Sequence, residues 1–280
     1  MVYWKHLSYL GAFGVTLFLQ VATFSLAVPQ LKAQSLEVSL TFPPGKGVGA
    51  PARTGGGGRR SGLSCVQGNI PLTALTPTNN LITTASGNPT LFWYIPATKA
   101  DSAELIVVDE EGNEVYLNTL ALQNAPGVVE LSLPEQVSLE PNKRYIWQFS
   151  IICNPLDRSE DNYVRGWIER KQSQELDITL AELNQNLKEL ETNPCEVKKR
   201  LQQQAKDLAG AQIWAETITI LARLYQTLPK DRTIATEWEE LLESVELNAI
   251  ATKPLLDCCR PEPQPTDGVT MSPEEISDEN

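Results

Sequence analysis

The sequence predicts an α+β protein in two parts, an immunoglobulin-like antiparallel β-sandwich followed by an α-helical hairpin domain of tetratricopeptide-like character. Two observations predict this order. Residues 63–172 alternate short runs of β-branched and aromatic residues with turn signals, which is typical of strands. From residue 173 to residue 256 the apolar residues instead recur about every 3.6 positions, which is typical of helices.

The first 33 residues have the features of a secretory signal peptide. A positive start at Lys5 is followed by an apolar run, with small residues at Ala27 and Ala33 where cleavage could occur. Cleavage after Ala33 is favoured. The alternative is a retained anchor, because about 20 apolar residues can span a bilayer. The protein is therefore expected to be periplasmic or secreted, with membrane contact only if this segment is retained.

Residues 34–62 and 257–280 are predicted to lie outside the two domains. The first segment includes "FPPGKGVGAPARTGGGGRRSG", which has too few apolar residues to offset the entropy of ordering and is predicted to be a linker. Its glycines are not followed by the Lys-Ser/Thr pair and helix of a phosphate-binding loop. The last segment is acidic and proline-rich, which predicts a disordered tail.

Six strands are predicted in the sandwich domain. Turn signals such as "EEGN", "APG" and "EPNK" separate them. Alternation in "VELSL" and "YIWQF" indicates one packed face and one wet face. The six runs are TLFWYIP (90–96), AELIVVD (103–109), NEVYLNTLAL (113–122), VVELSLP (128–134), RYIWQFSIIC (144–153) and YVRGWIERK (163–171).

The stretch "LEPNKRYIWQF" resembles the tyrosine corner of immunoglobulin and fibronectin type III folds. In that motif a tyrosine near the start of a late strand hydrogen-bonds back across the preceding corner. Tyr145 is expected to do this, with Pro141 stiffening the approach and Trp147 pointing inward on the same face. A plain strand after a turn is the alternative.

Four helices with short connections are predicted in the second domain, which indicates antiparallel hairpins. The capping box Thr179-x-x-Glu182 is predicted to open the first helix. Asn193 as the cap and Pro194 at the first helical position are predicted to open the second helix, which is expected to end at Gly210.

The third helix lies within "WAETITILARLYQTLP", where Trp214, Leu221 and Pro229 are spaced as in the second helix of a tetratricopeptide repeat. A solenoid needs about three such units and one is visible. An ordinary amphipathic hairpin docked on the sandwich is therefore the alternative. A fourth helix is predicted from about Thr233.

All five cysteines lie downstream of the predicted signal, and in an exported protein they are expected to form disulfides. None has the C-x-x-C spacing of a zinc or redox motif. Cys65 is predicted to pair with Cys153, because both lie at the edges of the strand-rich region. Cys195 could pair with Cys258 or Cys259, leaving one thiol, whereas a bond between these two neighbours would be strained.

The composition narrows the possible functions. The single histidine, His6, lies inside the predicted signal, so the exported protein would lack Ser-His-Asp and Cys-His catalysis and His-ligated zinc. A formal net charge of −12 argues against a nucleic-acid partner. No catalytic, cofactor-binding or metal-binding residues are predicted.

One candidate ligand surface is predicted in "VRGWIER". Core packing is expected for the tryptophans on apolar faces of the predicted elements. Trp167, between Arg165 and Arg170, could instead face a groove and stack on a sugar or a peptide.

The carboxylates of "DRSEDN" provide the alternative chemistry. Asp157, Glu160 and Asp161 could act together on a polysaccharide, as paired carboxylates do in glycoside hydrolysis. They could also hold calcium, although the EF-hand pattern is missing. A solvated loop is expected here.

Several segments together resemble the cyanobacterial family called domain of unknown function 928. They include "PTLFWYIP", "LEPNKRYIWQF", "IIC", "VRGWIER" and "IWAETITILARLYQTLPKD" followed by "WEELLESVEL", and they extend over about residues 43–256. The resemblance implies export in a cyanobacterium and supplies no activity or catalytic residues. We therefore expect an exported, non-enzymatic binding or scaffold protein of the cell envelope whose partner is an envelope protein or peptide. The alternative is a carboxylate-dependent polysaccharide-binding or polysaccharide-processing protein.

Overall fold

The structure is a computed structural model that describes residues 39–47, 53 and 65–256. Sheets occupy the first part of this region and helices the second, so the fold is α+β. The strands are β1 (Val66–Gln67), β2 (Thr73–Ala74), β3 (Leu81–Thr84), β4 (Thr90–Ile95), β5 (Ala97–Thr98), β6 (Ser102–Asp109), β7 (Glu114–Ala121), β8 (Gly127–Ser132), β9 (Arg144–Ile151) and β10 (Asn162–Arg170). The helices are α1 (Gln174–Leu190), α2 (Pro194–Gly210), α3 (Trp214–Thr227), α4 (Arg232–Ser244) and α5 (Asn248–Ala251).

The strands form a five-stranded sheet in the order β3-β10-β9-β6-β7, a three-stranded sheet in the order β2-β4-β8, and the pair β1-β5. All six predicted strands are present, with bounds within two residues of those expected. The six predicted strands pair antiparallel, as expected. The strand β3 was not predicted, and it pairs in parallel with β10 so that Leu81 lies opposite Trp167. A parallel neighbour is possible here because β3 and β10 are far apart in sequence and need no hairpin.

The two larger sheets pack face to face around buried aromatic rings. Trp93 of β4 stacks on Phe149 of β9, with ring centroids 4.5 Å apart, and contacts Trp147 edge-on at 5.9 Å. On the opposite face of the three-stranded sheet, Glu130 of β8 forms an ion pair of 2.6 Å with Arg223 of α3. The three-stranded sheet therefore lies between the five-stranded sheet and the helices.

The corner before β9 contains the predicted hydrogen bond. The hydroxyl oxygen of Tyr145 accepts a hydrogen bond of 2.9 Å from the backbone N–H of Glu140. Tyr145 and Trp147 are both buried on the inner face of the sheet. The expected orientation of these two side chains is thus confirmed.

The first helix begins earlier than predicted. Ser173 is its N-cap, and the Ser173 hydroxyl accepts a hydrogen bond from the N–H of Leu176. Thr179 lies inside the helix, where its hydroxyl donates to the carbonyl oxygen of Glu175. The predicted capping box is therefore wrong, because a serine six residues upstream already satisfies the first turn.

The other helix boundaries agree closely with the sequence. α2 begins at Pro194 with Asn193 as its cap, α3 begins at Trp214, and α4 begins one residue before Thr233. Successive helices pack on one another, and α3 also contacts β3 and β4. The short α5 was not expected. Among the described residues, no helix combines the length and apolarity that a membrane crossing requires.

Part of the predicted linker packs on the fold. Leu40 and Phe42 are buried, and the Phe42 ring meets Trp214 edge-on with centroids 4.9 Å apart. The N–H of Leu40 donates to the Glu240 carboxylate, and the N–H of Phe42 donates to the Ser244 hydroxyl. Residues 39–47 thus differ from the expected linker, because their two apolar side chains find a surface on the helices. The predicted signal, the remainder of the linker except residue 53, and the predicted tail lie outside the described residues.

The predicted disulfide between Cys65 and Cys153 is confirmed. It ties the start of β1 to the segment that follows β9 across a sequence separation of 88 residues. A disulfide is typical of an oxidising compartment. Cys195 is exposed and has no disulfide partner among the described residues. Its pairing with Cys258 or Cys259 stays a prediction, because both lie outside the described residues.

Candidate interaction surface

The two faces of the five-stranded sheet have different surroundings. Successive side chains of a strand point to opposite faces. In β9 the residues Trp147 and Phe149 point into the core, so Ile146 and Gln148 point outward. Both outward residues are partly buried, whereas the two aromatic residues are fully buried.

Strand register aligns apolar side chains on the outward face. Ile146 lies opposite Val108 of β6 on one side and Trp167 of β10 on the other. Ile106 of β6 lies opposite Leu117 of β7. We name these five residues the outer apolar band: Ile106, Val108, Leu117, Ile146 and Trp167.

The outer apolar band remains accessible in the described chain. Leu117 is 48% exposed, and Tyr163, four residues before Trp167 on the same face of β10, is 41% exposed. The other four members are partly buried. Large apolar side chains grouped on one open face are typical of interaction surfaces in soluble proteins.

Charged groups border the band at Trp167. The guanidinium of Arg144 lies 5.6 Å from the Trp167 ring centroid and forms an ion pair of 3.3 Å with Glu169. Burial raises the pKa of Glu169, but Lys171 and Arg144 outweigh this effect and hold the pKa below its ordinary value. The Nε1 of Trp167 and the Nε of Arg144 are buried without an acceptor among the described residues.

The structure separates the three residues of the predicted ligand surface. Arg165 and Trp167 are two positions apart in β10 and share the outward face. Arg170 has the opposite parity, and its guanidinium donates to the carbonyl oxygens of Leu139 (2.6 Å) and Ala85 (3.2 Å). Arg170 therefore holds loops together, while ligand binding at Arg165 and Trp167 stays a prediction.

Contacts within the protein already engage the carboxylates of Asp157 and Asp161 in the acidic loop after Cys153. Asp157 caps the 3-10 turn Arg158–Glu160, and hydrogen bonds from the hydroxyl and N–H of Ser159 lower the pKa of Asp157. Arg158 forms ion pairs with Glu104 (2.8 Å) and Asp161 (2.6 Å). Among the described residues, no group of three or more His, Cys, Asp or Glu side chains is placed to hold a metal ion.

A concave surface lies beside the packed segment 39–47, away from the outer apolar band. It is an open cleft of 470 Å³ with Phe42 and Leu81 on its apolar side and the amide side chains of Asn79 and Gln212 on its polar side. Lys171, which also lines it, is already paired with Glu169. The cleft is large enough for a small ligand, but few of the side chains that line it are cationic.

Glu216 is a buried carboxylate that the sequence analysis did not single out. It lies in the first turn of α3 and accepts hydrogen bonds from the hydroxyl of Thr84 (2.7 Å) and the N–H groups of Ala85 and Ser86. Burial raises the pKa of Glu216, although these donors act in the opposite direction. A small cavity of 120 Å³ borders it. The contacts fasten α3 to the loop after β3.

The comparison with known families covers every described strand and helix. Residues 55–255 match the family described as Domain of Unknown Function (DUF928). The chain belongs to this family. The resemblance stated from the sequence is thereby confirmed at the level of the family. No curated protein matches the chain.

Most of the outer apolar band of this DUF928 protein was missed from the sequence, although a signal was present. The run "ELIVV" in β6 is apolar at both alternating sets of positions. Such a run is typical of a strand that is covered on both faces. Leu105 and Val107 are buried on the inner face, while Ile106 and Val108 lie on the open face. The pattern therefore indicates a face that a further chain could cover.

Proposed function

We propose that this protein is an exported, non-enzymatic binding or scaffold protein of the cell envelope, which contacts its partner through the outer apolar band. The observation that carries the proposal is the open face itself. Register places Val108, Ile146 and Trp167 side by side across three strands. Covering such side chains contributes favourable free energy, at roughly 25 cal/mol for each Å² of apolar surface removed from water.

The chemistry around the band favours a protein or peptide partner. Interfaces are enriched in Trp, Tyr and Arg, and Tyr163, Arg165 and Arg144 adjoin the band. An acidic chain with a net charge of −12 gives no support to a nucleic-acid partner.

Export is supported by the disulfide, because such bonds persist in oxidising compartments. The family resemblance adds the expectation of a cyanobacterial envelope. The non-enzymatic part of the proposal rests on the histidine content, since His6 is the single histidine and lies within the predicted signal.

We also propose that the two larger sheets are an immunoglobulin-like sandwich and that the helices are related to tetratricopeptide hairpins. The hydrogen bond between Tyr145 and Glu140 supports the first assignment. The packing of α2 on α3 and of α3 on α4 supports the second.

The polysaccharide alternative depends on Asp157, Glu160 and Asp161, and the contacts of this loop do not favour it. Asp157 caps a turn and Asp161 is paired with Arg158. Its test is replacement of all three carboxylates by the corresponding amides. Loss of glycan binding or turnover would revive this alternative, and unchanged behaviour would eliminate it.

Photo-crosslinking tests the main proposal. A benzoylphenylalanine introduced at Ile146 in the exported protein should give a crosslinked product of one defined mass. The matched control places the same group at Leu156, which is 97% exposed in the loop after β9 and outside the band. The same set of products from both positions, or no product from position 146, would contradict the proposal.

A further inference from the structure

Sheet edges are hydrogen-bonding templates, and most edges of this fold are covered. At one end of the five-stranded sheet, β3 lies against α3, with the Thr83 hydroxyl donating to the Gln212 carbonyl and accepting from the Trp214 N–H. At one end of the three-stranded sheet, the N–H of Ala74 in β2 donates to the carbonyl of Arg53. An exposed edge would otherwise invite pairing with another chain.

The chain itself covers part of the remaining edge of the three-stranded sheet, at Val128. Val128 of β8 donates its N–H to Pro254 and accepts from Leu256 through its carbonyl, and Leu255 forms a parallel bridge with Val128. The one edge strand of the two larger sheets without such a cover among the described residues is β7. It is also the longest of the four edge strands, with eight residues.

Hydrogen-bond parity shows which groups of β7 face outward. The N–H of Leu122 donates to the carbonyl of Asp101, directly opposite in the β6–β7 register, so this pair is a hydrogen-bonded one. Hydrogen-bonded pairs recur at every second residue. Leu120 and Asn118 therefore bond β6, whereas Leu117 and Thr119 direct their N–H and C=O groups to the open side.

We propose that β7 pairs with β7 of a second copy of this chain, antiparallel about a twofold axis at Leu117. The two five-stranded sheets then form one continuous sheet. In this register Leu117 lies opposite the partner's Leu117, and Thr119 lies opposite the partner's Val115. The inference goes beyond the proposed function and does not depend on it, because the proposed envelope partner binds the face of the sheet and the second copy binds its edge.

The apolar band favours a second copy as the occupant. Leu117 is the most exposed member of the band and lies on the edge strand. Twofold pairing places it against its own equivalent, so that the bands of both copies join into one apolar surface. A direct apolar cross-strand pair stabilises a sheet by roughly 0.2–1 kcal/mol relative to alanine.

The charges near the edge are compatible with this register. Glu114 is the single charged residue of β7, and it would face the partner's Leu120. Glu110 and Glu111 lie in the hairpin at one end of the β6–β7 pair, and Lys99 lies near the other end. The twofold axis therefore places the acidic hairpin of each copy at the end of the partner's β6–β7 pair that holds its Lys99. Asp101 also lies at that end and the whole chain carries −12 charges, so added salt should tighten the dimer.

Site-directed crosslinking tests the register. The background replaces Cys195, Cys258 and Cys259 by serine and keeps the Cys65–Cys153 disulfide. Opposite residues of a hydrogen-bonded antiparallel pair have Cα atoms about 5.5 Å apart, a separation that suits a disulfide. Leu117→Cys should therefore give an intermolecular disulfide on mild oxidation. Thr119→Cys, a matched exposed position, should give no intermolecular disulfide because its equivalent lies about 13 Å away.

Sedimentation measures the association without crosslinks. A single strand pair buries little surface, so a dissociation constant in the micromolar range is expected. Thr119→Pro removes an outward N–H and leaves the β6 ladder intact, and it should raise the dissociation constant at least about tenfold. Thr119→Ser keeps the N–H and should match the wild type. Circular dichroism of both variants verifies that they fold.

Amide hydrogen exchange identifies the occupant. With rising protein concentration, exchange should slow at Leu117 and Thr119 and stay constant at Asn118 and Leu120. A protein that is monomeric at every concentration and salt level, with no Leu117→Cys crosslink, would overturn the proposal. Protection that disappears on removal of residues 257–280, or that requires added envelope extract, would assign the edge to the tail or to another protein and would equally overturn it.

Discussion

The two larger sheets differ in what covers them. The three-stranded sheet has the aromatic core on one face and the helices on the other, as Trp93 and Glu130 show from its two sides. The five-stranded sheet has the same core on its inner face, and among the described residues no second layer covers its outer face. Yet β6 carries apolar residues on both faces, as a fully covered strand does. The apolar content of a strand therefore does not reveal whether the residues that cover its two faces belong to the same chain.

Two tryptophans show the difference between the two faces of the five-stranded sheet. Trp147 in β9 and Trp167 in β10 lie in neighbouring strands and are one residue apart in register, so they point to opposite faces. Trp147 is fully buried against Trp93, while Trp167 is partly buried under the Arg144 guanidinium. We expect Trp147 to contribute to stability and Trp167 to contribute to binding.

The largest effect is expected from Trp147→Ala. Loss of a buried tryptophan should lower the free energy of unfolding by about 3–5 kcal/mol, measured by denaturant titration. Trp167→Ala is the matched variant on the open face and should cost about 1 kcal/mol or less, because the ring is not enclosed by core side chains. Equal losses of unfolding free energy for the two variants would contradict the difference in burial between the two faces.

Removing the Cys65–Cys153 disulfide should give the next largest effect. The bond closes a long loop that contains β1 to β9, so replacing both cysteines by serine should lower the free energy of unfolding by about 2–4 kcal/mol. Cys195→Ser provides the control and should leave stability unchanged, because this thiol is exposed and has no disulfide partner in the part of the chain that the structure describes. A double variant as stable as the wild type would contradict a structural role for the bond in the sandwich.

A smaller, pH-dependent effect is expected at Glu216, where the helices are joined to the sheets. Because burial raises its folded pKa above the ordinary value of 4.5, its contribution is greatest below that value and is lost as the pH rises through the folded pKa. The unfolding free energy of the wild type relative to Glu216→Gln should therefore fall with pH above about 4.5, by at most about 1.4 kcal/mol per pH unit. Parallel pH profiles for the two proteins would exclude this titration.

Local signals account for what the sequence predicted well. Alternation and turns located six strands, Pro194 and Gly210 bounded α2, and the Tyr145 corner followed from a short motif. Each of these features is specified by residues that are close together in the chain. The disulfide instead followed from the places of its two cysteines in the sequence, at the ends of the strand-rich region.

Features set by distant contacts could not be predicted. β2 has two residues and β3 has four, too few for a pattern, and β3 is fixed by a parallel partner more than 80 residues away. The site of helix docking depends on contacts such as the hydrogen bond of 2.9 Å from Trp214 Nε1 to the Leu75 carbonyl. Because this docking decides which sheet face stays open, the outer apolar band emerged only when the fold was known.

The most direct test of the account compares complex formation by three forms of the protein under native conditions. The wild type and Ile178→Ser, which removes an exposed apolar side chain from α1, should migrate in the same complex and crosslink identically. The double variant Ile146→Ser/Trp167→Ser should fold with nearly unchanged stability and be recovered free of the partner. A double variant that still enters the complex would contradict the claim that the outer face of the five-stranded sheet is the binding surface.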